Sequence, residues 1–454
     1  MTNNIEVDNF KNNEYKQHCK DYTFVPFIYE KVDRIIVLGD IHGDYKMAIK
    51  LLTMSKVARI VSTKLSRNSK LSKNKNPKKS SKKSSKKLTK SSKKIIKSKK
   101  NKKKIYMSRT EEIEDMTIST EEESVENNES VSDSDGYSDG YSDGDTISDV
   151  EKEYKLEWIG GKTHVVQVGD QIDRCRPNGN FMCNQPGTLK SEEDENSDIK
   201  ILKLFTDLHE QAVKVGGAVI SLLGNHELLN ALGEVQYVSF KGLKDFMKKY
   251  KVEGIDFEDG IEARKHAFQP GNEYGRFLGC TRNATVIIGS NLFVHAGIID
   301  TLAKELNFKD YIDVEKVNIL IKKWLLGLIN TNKVNDLVRS QDSMFWTRVL
   351  GSIPNNMPMT YEDCMDNISK VLKIFRIDKM IIGHTPQSFM FSKDINGTCD
   401  NKIWRVDNGS SKAFDKFDKN LTQYGERHHN RRHQYLEILN DTEYHVHDKT
   451  GRIF

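Results

Sequence analysis

Five short apolar runs in this chain each stop at a glycine flanked by oxygen- or nitrogen-bearing side chains, and few folds accommodate that pattern. Thr163 to Val168 leads into Gly169-Asp170-Gln171-Ile172-Asp173-Arg174. Arg34 to Leu38 leads into Gly39-Asp40-Ile41-His42-Gly43, and Ala218 to Leu223 into Gly224-Asn225-His226-Glu227. Asn291 to Val294 and Met380 to Ile382 end in His295-Ala296-Gly297 and Gly383-His384-Thr385. Runs rich in β-branched residues and bounded this way read as buried strands. In open α/β sheets, functional side chains gather beyond the carboxyl ends of such strands. The expected class is therefore α/β. Asp40, His42, Asp170, Asn225, His295 and His384 offer carboxylate, amide oxygen and imidazole without thiolate, a donor set suited to borderline divalent metals. A single histidine after a strand is usually a polar loop residue; five clusters, all at strand ends and all marked by glycine, point to a metal centre.

Around these strands the pattern predicts helices near 45–57, 199–213, 301–306 and 314–328, with a charged helical stretch to about Lys251. A lead-in strand is expected between Tyr22 and Tyr29. The last ladder, Lys402 to Val406 with Gln434 to Leu439 and Tyr444 to His447, reads as antiparallel.

Composition changes sharply between Ser62 and Glu153. Lys64 to Lys104 is nearly all Lys, Ser and Asn, and Glu111 to Glu153 nearly all Glu, Asp, Ser and Gly. This stretch holds 22 basic and 17 acidic side chains, so it supplies +5 of the chain's net +6. Segregated like charges with so little apolar surface cannot offset an ordering entropy of roughly 1 to 2 kcal/mol per residue, so a disordered insert is expected. The expected domain spans 1–61 and 154–454, interrupted by 62–153. The Lys-rich half suits contact with nucleic acid or an acidic partner but lacks interleaved aromatics for base stacking. The Asp-Gly-Tyr-Ser repeat at 135–144 misses calcium-loop spacing.

The 6 cysteines fall in no C-x-x-C pattern, and the expectation is reduced thiols in an intracellular protein, cytoplasmic or nuclear. The amino terminus lacks the apolar segment of a secretory signal. No run approaches the roughly 20 apolar residues of a membrane span.

Taken in order, Gly-Asp-x-His-Gly, Gly-Asp-x-x-Asp-Arg, Gly-Asn-His-Glu, His-Ala-Gly and Gly-His-Thr resemble the calcineurin-like metallophosphoesterases, and more narrowly the phosphoprotein phosphatases. Leu223 to Asn230 with Gly233, Gly383 to Pro386, and Trp404-Arg405-Val406-Asp407 with Gly409-Ser410 are similar to the Shewanella-like protein phosphatases. The resemblance implies an α/β/β/α sandwich of two mixed sheets. It implies two divalent ions, manganese first, with iron or zinc as alternatives. Asp40, His42 and Asp170 would hold one ion; Asp170, Asn225, His295 and His384 would hold the other. A shared water, deprotonated between the ions, would attack phosphate directly. His226 is then expected as general acid, oriented by Asp173, with Arg174 and Arg348 on the phosphate oxygens. Arg282 reads as structural. The implied activity is a serine/threonine protein phosphatase; a phosphotyrosine phosphatase and a dinucleoside polyphosphate hydrolase are the alternatives. Cys175 stands where the family usually has glycine, and the insert is far longer than the family's connection there.

Overall fold

The computed structural model of the chain describes residues 5–65, 152–177, 182–186, 194, 196–390, 392–415 and 431–453. The chain divides into two units, Met1–Ser66 with Asp149–Phe454, and Arg67–Ser148. All described residues lie in the first, so the expected disorder of the insert falls outside them.

Alternation along the strands dictates the layers. In β2 (Arg34–Leu38), Ile35 and Val37 face one way and Ile36 and Leu38 the other, yet all four are fully buried. A strand buried on both faces needs a layer on each side. Ile35 and Val37 join Val166, Val168, Ile220, Val286, Phe293, Ile381 and Trp404 in a core between two sheets. Ile36 and Leu38 pack instead beneath the helices Tyr45–Met54 and Asp198–Ala212.

The seven-stranded sheet runs β15-β14-β13-β2-β5-β6-β7. Here β5 is His164–Gln167, β6 Ala218–Leu222, β7 Arg282–Asn283, β13 Tyr435–Leu439, β14 Glu443–Asp448 and β15 Gly451–Arg452. The six-stranded sheet runs β1-β8-β9-β10-β12-β11, with β1 at Ile28–Tyr29, β8 Thr285–Ile288, β9 Asn291–Val294, β10 Lys379–Ile382, β11 Asn396–Thr398 and β12 Ile403–Arg405. Its outer face packs on helices that include Glu273–Thr281, Asp313–Leu325 and Glu362–Phe375. The result is the α/β/β/α order. Strands β2, β5 and β6 are mutually parallel, as are β9, β10 and β12, so each sheet delivers its site loops at carboxyl ends.

Several expectations change. The final ladder is split, because β12 runs parallel to β10 in one sheet while β13 pairs antiparallel with β2 in the other. Lead-in pairing is confined to Ile28 and Tyr29. The stretch after Met54 turns into strand, with β3 (Ala58–Leu65) pairing antiparallel with β4 (Lys152–Trp158) from Ala58↔Trp158 to Leu65↔Lys152. Ordered pairing thus extends beyond the expected boundaries at 62 and 153. Asp44, unremarkable in sequence, caps the Tyr45–Met54 helix by accepting from the Met47 N–H at 2.9 Å.

The reduced-thiol expectation is overturned. All six cysteines are paired, as Cys19–Cys280, Cys175–Cys183 and Cys364–Cys399. Each pair joins segments that meet only through tertiary structure or a loop closure, so no local spacing announces it. Among the described residues, no helix is long and apolar enough to cross a membrane.

Candidate metal and active site

Two glycines let the site loops touch. A Cβ at Gly224 would collide with the Asp170 carboxylate, and one at Gly383 with the Asp40 carboxylate. Around them the backbone bends out of ordinary L-residue conformations: His42, Asp170, Asp173 and His384 have φ of 47°, 52°, 70° and 67°. Four non-glycine residues in the left-handed region, each costing of order 1 kcal/mol or more, persist only where surrounding bonds hold them. Glu227 is one such holder. Its buried carboxylate accepts from the N–H groups of Gly224, Asp170 and Gln171 at 2.7, 2.9 and 2.8 Å, fastening the Gly-Asn-His-Glu turn to the Gly-Asp-Gln loop. Burial, with Asp170 nearby, pushes its carboxyl up to about 7. Arg282 holds the same loop from below, donating to Gln171 Oε1, Thr206 and Leu202 O, which is a structural role.

The six expected ligands come together. His295 Nδ1 lies 2.9 Å from Val168 O, and His384 Nε2 lies 2.9 Å from Trp346 O. Each carbonyl claims a ring N–H, leaving His295 Nε2 and His384 Nδ1 as lone pairs. These two nitrogens are 3.2 Å apart, and Asn225 Oδ1 lies 2.9 and 3.0 Å from them. With those tautomers three acceptors converge, an arrangement that a cation resolves; with no cation there, Asp170 raises His295 above the usual imidazole range against the pull of burial. Asp170 Oδ2 sits beside them, 3.3 Å from His295 Nε2, and also faces His42 Nε2 at 3.8 Å. His42 Nε2 is in turn 3.9 Å from Asp40 Oδ2. Two groups are therefore spaced to hold a metal, His42 with Asp170 and His226, and Asp170 with His295 and His384. Asp40 Oδ1 and Asp407 Oδ2 are buried with no hydrogen-bond donor among the described residues. The donor set and these bare oxygens fit divalent cations.

Electrostatics agree with that fit. Burial holds His42 and His384 well below the usual imidazole range, so both are neutral and able to ligate. Burial would raise Asp170, but His295, His226 and His42 hold it well below the usual carboxylate range. Asp40 is pushed well up, by burial first and then by Asp407 and Asp170. Carboxylates crowded this way repel until a cation is placed among them.

His226 occupies a distinct position. Its Nδ1 is 2.8 Å from Asp173 Oδ2, while its Nε2 looks back toward Asp170 Oδ2 at 3.9 Å. Arg174 is buried beside Gly43. Arg348 is exposed and donates to His384 O at 3.3 Å, which sets it at the rim.

Sequence reading missed several neighbours. Arg176 is buried, donates to Asp173 O and Cys175 O at 3.0 Å, and lies over the rings of Phe414 and Tyr237. Tyr237 packs on His226, Phe414 on His42 and Trp346 on His384, with centroids at 4.8, 5.3 and 6.3 Å. Asn230, Asp198 and Arg264 form a buried layer behind Asp173. Of these only Asn230 lay inside a recognised motif.

No protein-family model matches the chain. It is 37% identical over 231 residues to an uncharacterized protein of Acanthamoeba polyphaga mimivirus, covering 47% of this chain and 90% of that one. It is 30% identical over 289 residues to Shewanella-like protein phosphatase 2 of Arabidopsis thaliana, covering 56% of this chain and 64% of that one. Shewanella-like protein phosphatase 1 of Plasmodium berghei is 24% identical over 284 residues, with 62% and 63% covered. The chain thus spans just under two thirds of the length of each named phosphatase. Among solved structures, a mutant cold-active protein tyrosine phosphatase superposes with a TM-score of 0.50 at 16% identity, covering 97% of this chain and 84% of that one. At that identity the likeness concerns the fold.

Proposed function

We propose that the chain is a phosphoprotein phosphatase-type metallophosphoesterase, a reading supported by its similarity to the Shewanella-like protein phosphatases, and that it acts as a metal-dependent phosphomonoesterase on phosphorylated protein side chains. The observation that carries this reading is the convergence of His295 Nε2, His384 Nδ1 and Asn225 Oδ1 beside Asp170, next to an imidazole anchored by Asp173. Two divalent ions, Mn²⁺ first, would be held by Asp40, His42 and Asp170 on one side and by Asp170, Asn225, His295 and His384 on the other. When bound they supply Lewis acidity to phosphoryl oxygens and an activated water. The chain's own groups do the rest. Arg174 and Arg348 bind phosphate oxygens through their planar forks. Asp173 fixes the His226 ring so that Nε2 faces the site and gives its proton to the leaving oxygen.

Phosphoserine and phosphothreonine are the first substrates proposed. The aromatic rings of Tyr237, Phe414 and Trp346 around the histidines favour phosphotyrosine as a second reading, since a phenolic leaving group can pack on them. Matched phosphoserine, phosphothreonine and phosphotyrosine peptides, with diadenosine tetraphosphate as the competitor class, should be assayed in Mn²⁺. Peptide dephosphorylation is expected to dominate. A clear lead for the tyrosine peptide selects the second reading, and turnover of the dinucleotide alone would sink both.

Residues 66–151 are proposed as a dispensable insert, because the β3–β4 ladder brings its two ends together at Leu65↔Lys152. Joining those ends through a short turn should leave aryl phosphatase activity unchanged and stability no lower, with a gain of up to roughly 2 to 3 kcal/mol, since loop-closure entropy varies only logarithmically with length. A large drop in the thermal midpoint would show that the insert supports the fold. The three disulfides favour folding in an oxidising compartment.

A further inference from the structure

The geometry points to Arg264 as a positioning residue for proton transfer by His226, acting through the amide of Asn230; the inference rests on the reading of His226 as general acid. Arg264 lies on the helix Gly260–Phe268, whereas His226 and Asn230 lie on Asn225–Ala231. Its side chain is 1% exposed and packs over the rings of Phe268 and Phe246 at 4.4 and 5.5 Å, so it has no route to solvent or substrate.

Its hydrogen bonds have a direction. Arg264 Nε donates to Asn230 Oδ1 at 2.8 Å. An arginine offers only donors, so the Asn230 carbonyl must face it and the Asn230 NH₂ must face the other way. That other way is Asp173: Asn230 Nδ2 donates to both carboxylate oxygens, at 3.0 and 3.1 Å, and to His226 O at 2.9 Å. Were the amide to flip, its oxygen would confront the carboxylate that orients His226. The second branch of the guanidinium closes the circuit, with Nη2 donating to Asp198 Oδ2 at 2.9 Å while Asp198 Oδ1 accepts from the Asp173 N–H at 3.2 Å. Arg264 thus fixes Asp173 through its side-chain partner Asn230 and through its own backbone, and its Nη2 also stands 3.8 Å from Asp173 Oδ1. The second hold matters because Asp173 sits at φ 70°. Asp198 also lies against Gly43, so the same circuit abuts the loop that carries His42.

A lysine keeps the charge but offers no planar fork to two acceptors on different elements. It cannot dictate both the Asn230 amide and the Asp198 carboxylate. The role is therefore one of geometry, and its signature is a loss confined to the step in which His226 gives up its proton.

The test measures kcat and KM on phenyl phosphate, whose leaving group needs a proton, and on 2,4-dinitrophenyl phosphate, whose leaving group does not. Metal content is measured on each purified protein, for wild type, Arg264→Lys, Asn230→Ala and His226→Asn. Arg264→Lys is expected to lose roughly 10- to 100-fold in kcat on phenyl phosphate, part of the 10² to 10⁴ range of general acid catalysis. It should stay within about threefold on the dinitrophenyl ester, with KM and metal content unchanged. Asn230→Ala leaves the Arg264–Asp198 pair in place and should reproduce the split if the lysine variant does not fold. If His226→Asn shows the split while both other variants lose equally on the two esters, Arg264 is only structural and the inference is overturned. If His226→Asn itself shows no split, the general-acid reading falls and takes the role of Arg264 with it.

Discussion

Asp170→Asn is expected to strip the site of metal and lower phosphatase turnover by more than about 100-fold, because Asp170 alone among the described residues is shared by both groups of candidate ligands. Asp170 Oδ2 stands 3.3 Å from His295 Nε2 and 3.8 Å from His42 Nε2. Its Oδ1 is already committed, accepting from the His226 N–H at 2.9 Å. Replacing Oδ2 by an NH₂ would aim a donor at the space between the two groups of candidate ligands and remove the negative charge that, on the proposed reading, would hold cations there. Losing even an outer partner of a metal ligand costs roughly 10- to 100-fold in affinity, so losing a carboxylate between two groups should cost more. Wild type dialysed against chelator should likewise be inactive and recover with Mn²⁺. Elemental analysis of the purified variant decides the matter: two equivalents of tightly held metal in Asp170→Asn would rule out a bridging role.

His226→Asn should keep its metal yet lose activity in proportion to how badly the leaving group needs a proton. The ring lies on the border between the two jobs. Its Nε2 is near enough to Asp170 to be counted with the His42 group of ligands, while its Nδ1 is taken by Asp173 at 2.8 Å. A ligand and an acid predict different outcomes. As an acid, His226 contributes about 10² to 10⁴ in rate on a phosphoserine peptide and little on an activated aryl phosphate. As a ligand, its loss depletes metal and damages both substrates alike. Asn225→Ala supplies the comparison, since Asn225 Oδ1 touches His295 and His384 and its removal should weaken one ion and slow both reactions. Depleted metal with equal losses in His226→Asn would return the residue to the ligand set.

The strands that carry the site were legible because burial on both faces demands continuous apolar runs, and each run ends at a glycine that admits a neighbouring loop. Arg34 to Leu38 and Asn291 to Val294 stand in the structure as read. What sequence could not supply was anything fixed by contact between distant segments. Arg264 sits 91 residues from Asp173, and nothing local to Gly260–Phe268 marks one arginine among its charges as buried. The cysteines mislead for the same reason, Cys19 and Cys280 being separated by 261 residues. The far ends of β3 and β4, residues 62–65 and 152–153, fell inside the low-complexity stretch because composition alone drew the boundary, whereas the cross-strand register carries on past it. The division of the last ladder between two sheets depends on which neighbour each strand meets, and alternation is silent on that.

The Cys19–Cys280 bond has a further consequence for a protease acting anywhere from residue 66 to residue 151. Such a cut would sever the chain into an amino-terminal piece holding Asp40 and His42 and a carboxyl-terminal piece holding Asp170, Asn225, His295 and His384. The two would remain one covalent molecule, joined through Cys19 and Cys280 and laced by β2 between β13 and β5. On a gel the enzyme would run as two polypeptides under reducing conditions and as one without reductant. The residues of the candidate site would then be divided between two polypeptides held together by one disulfide.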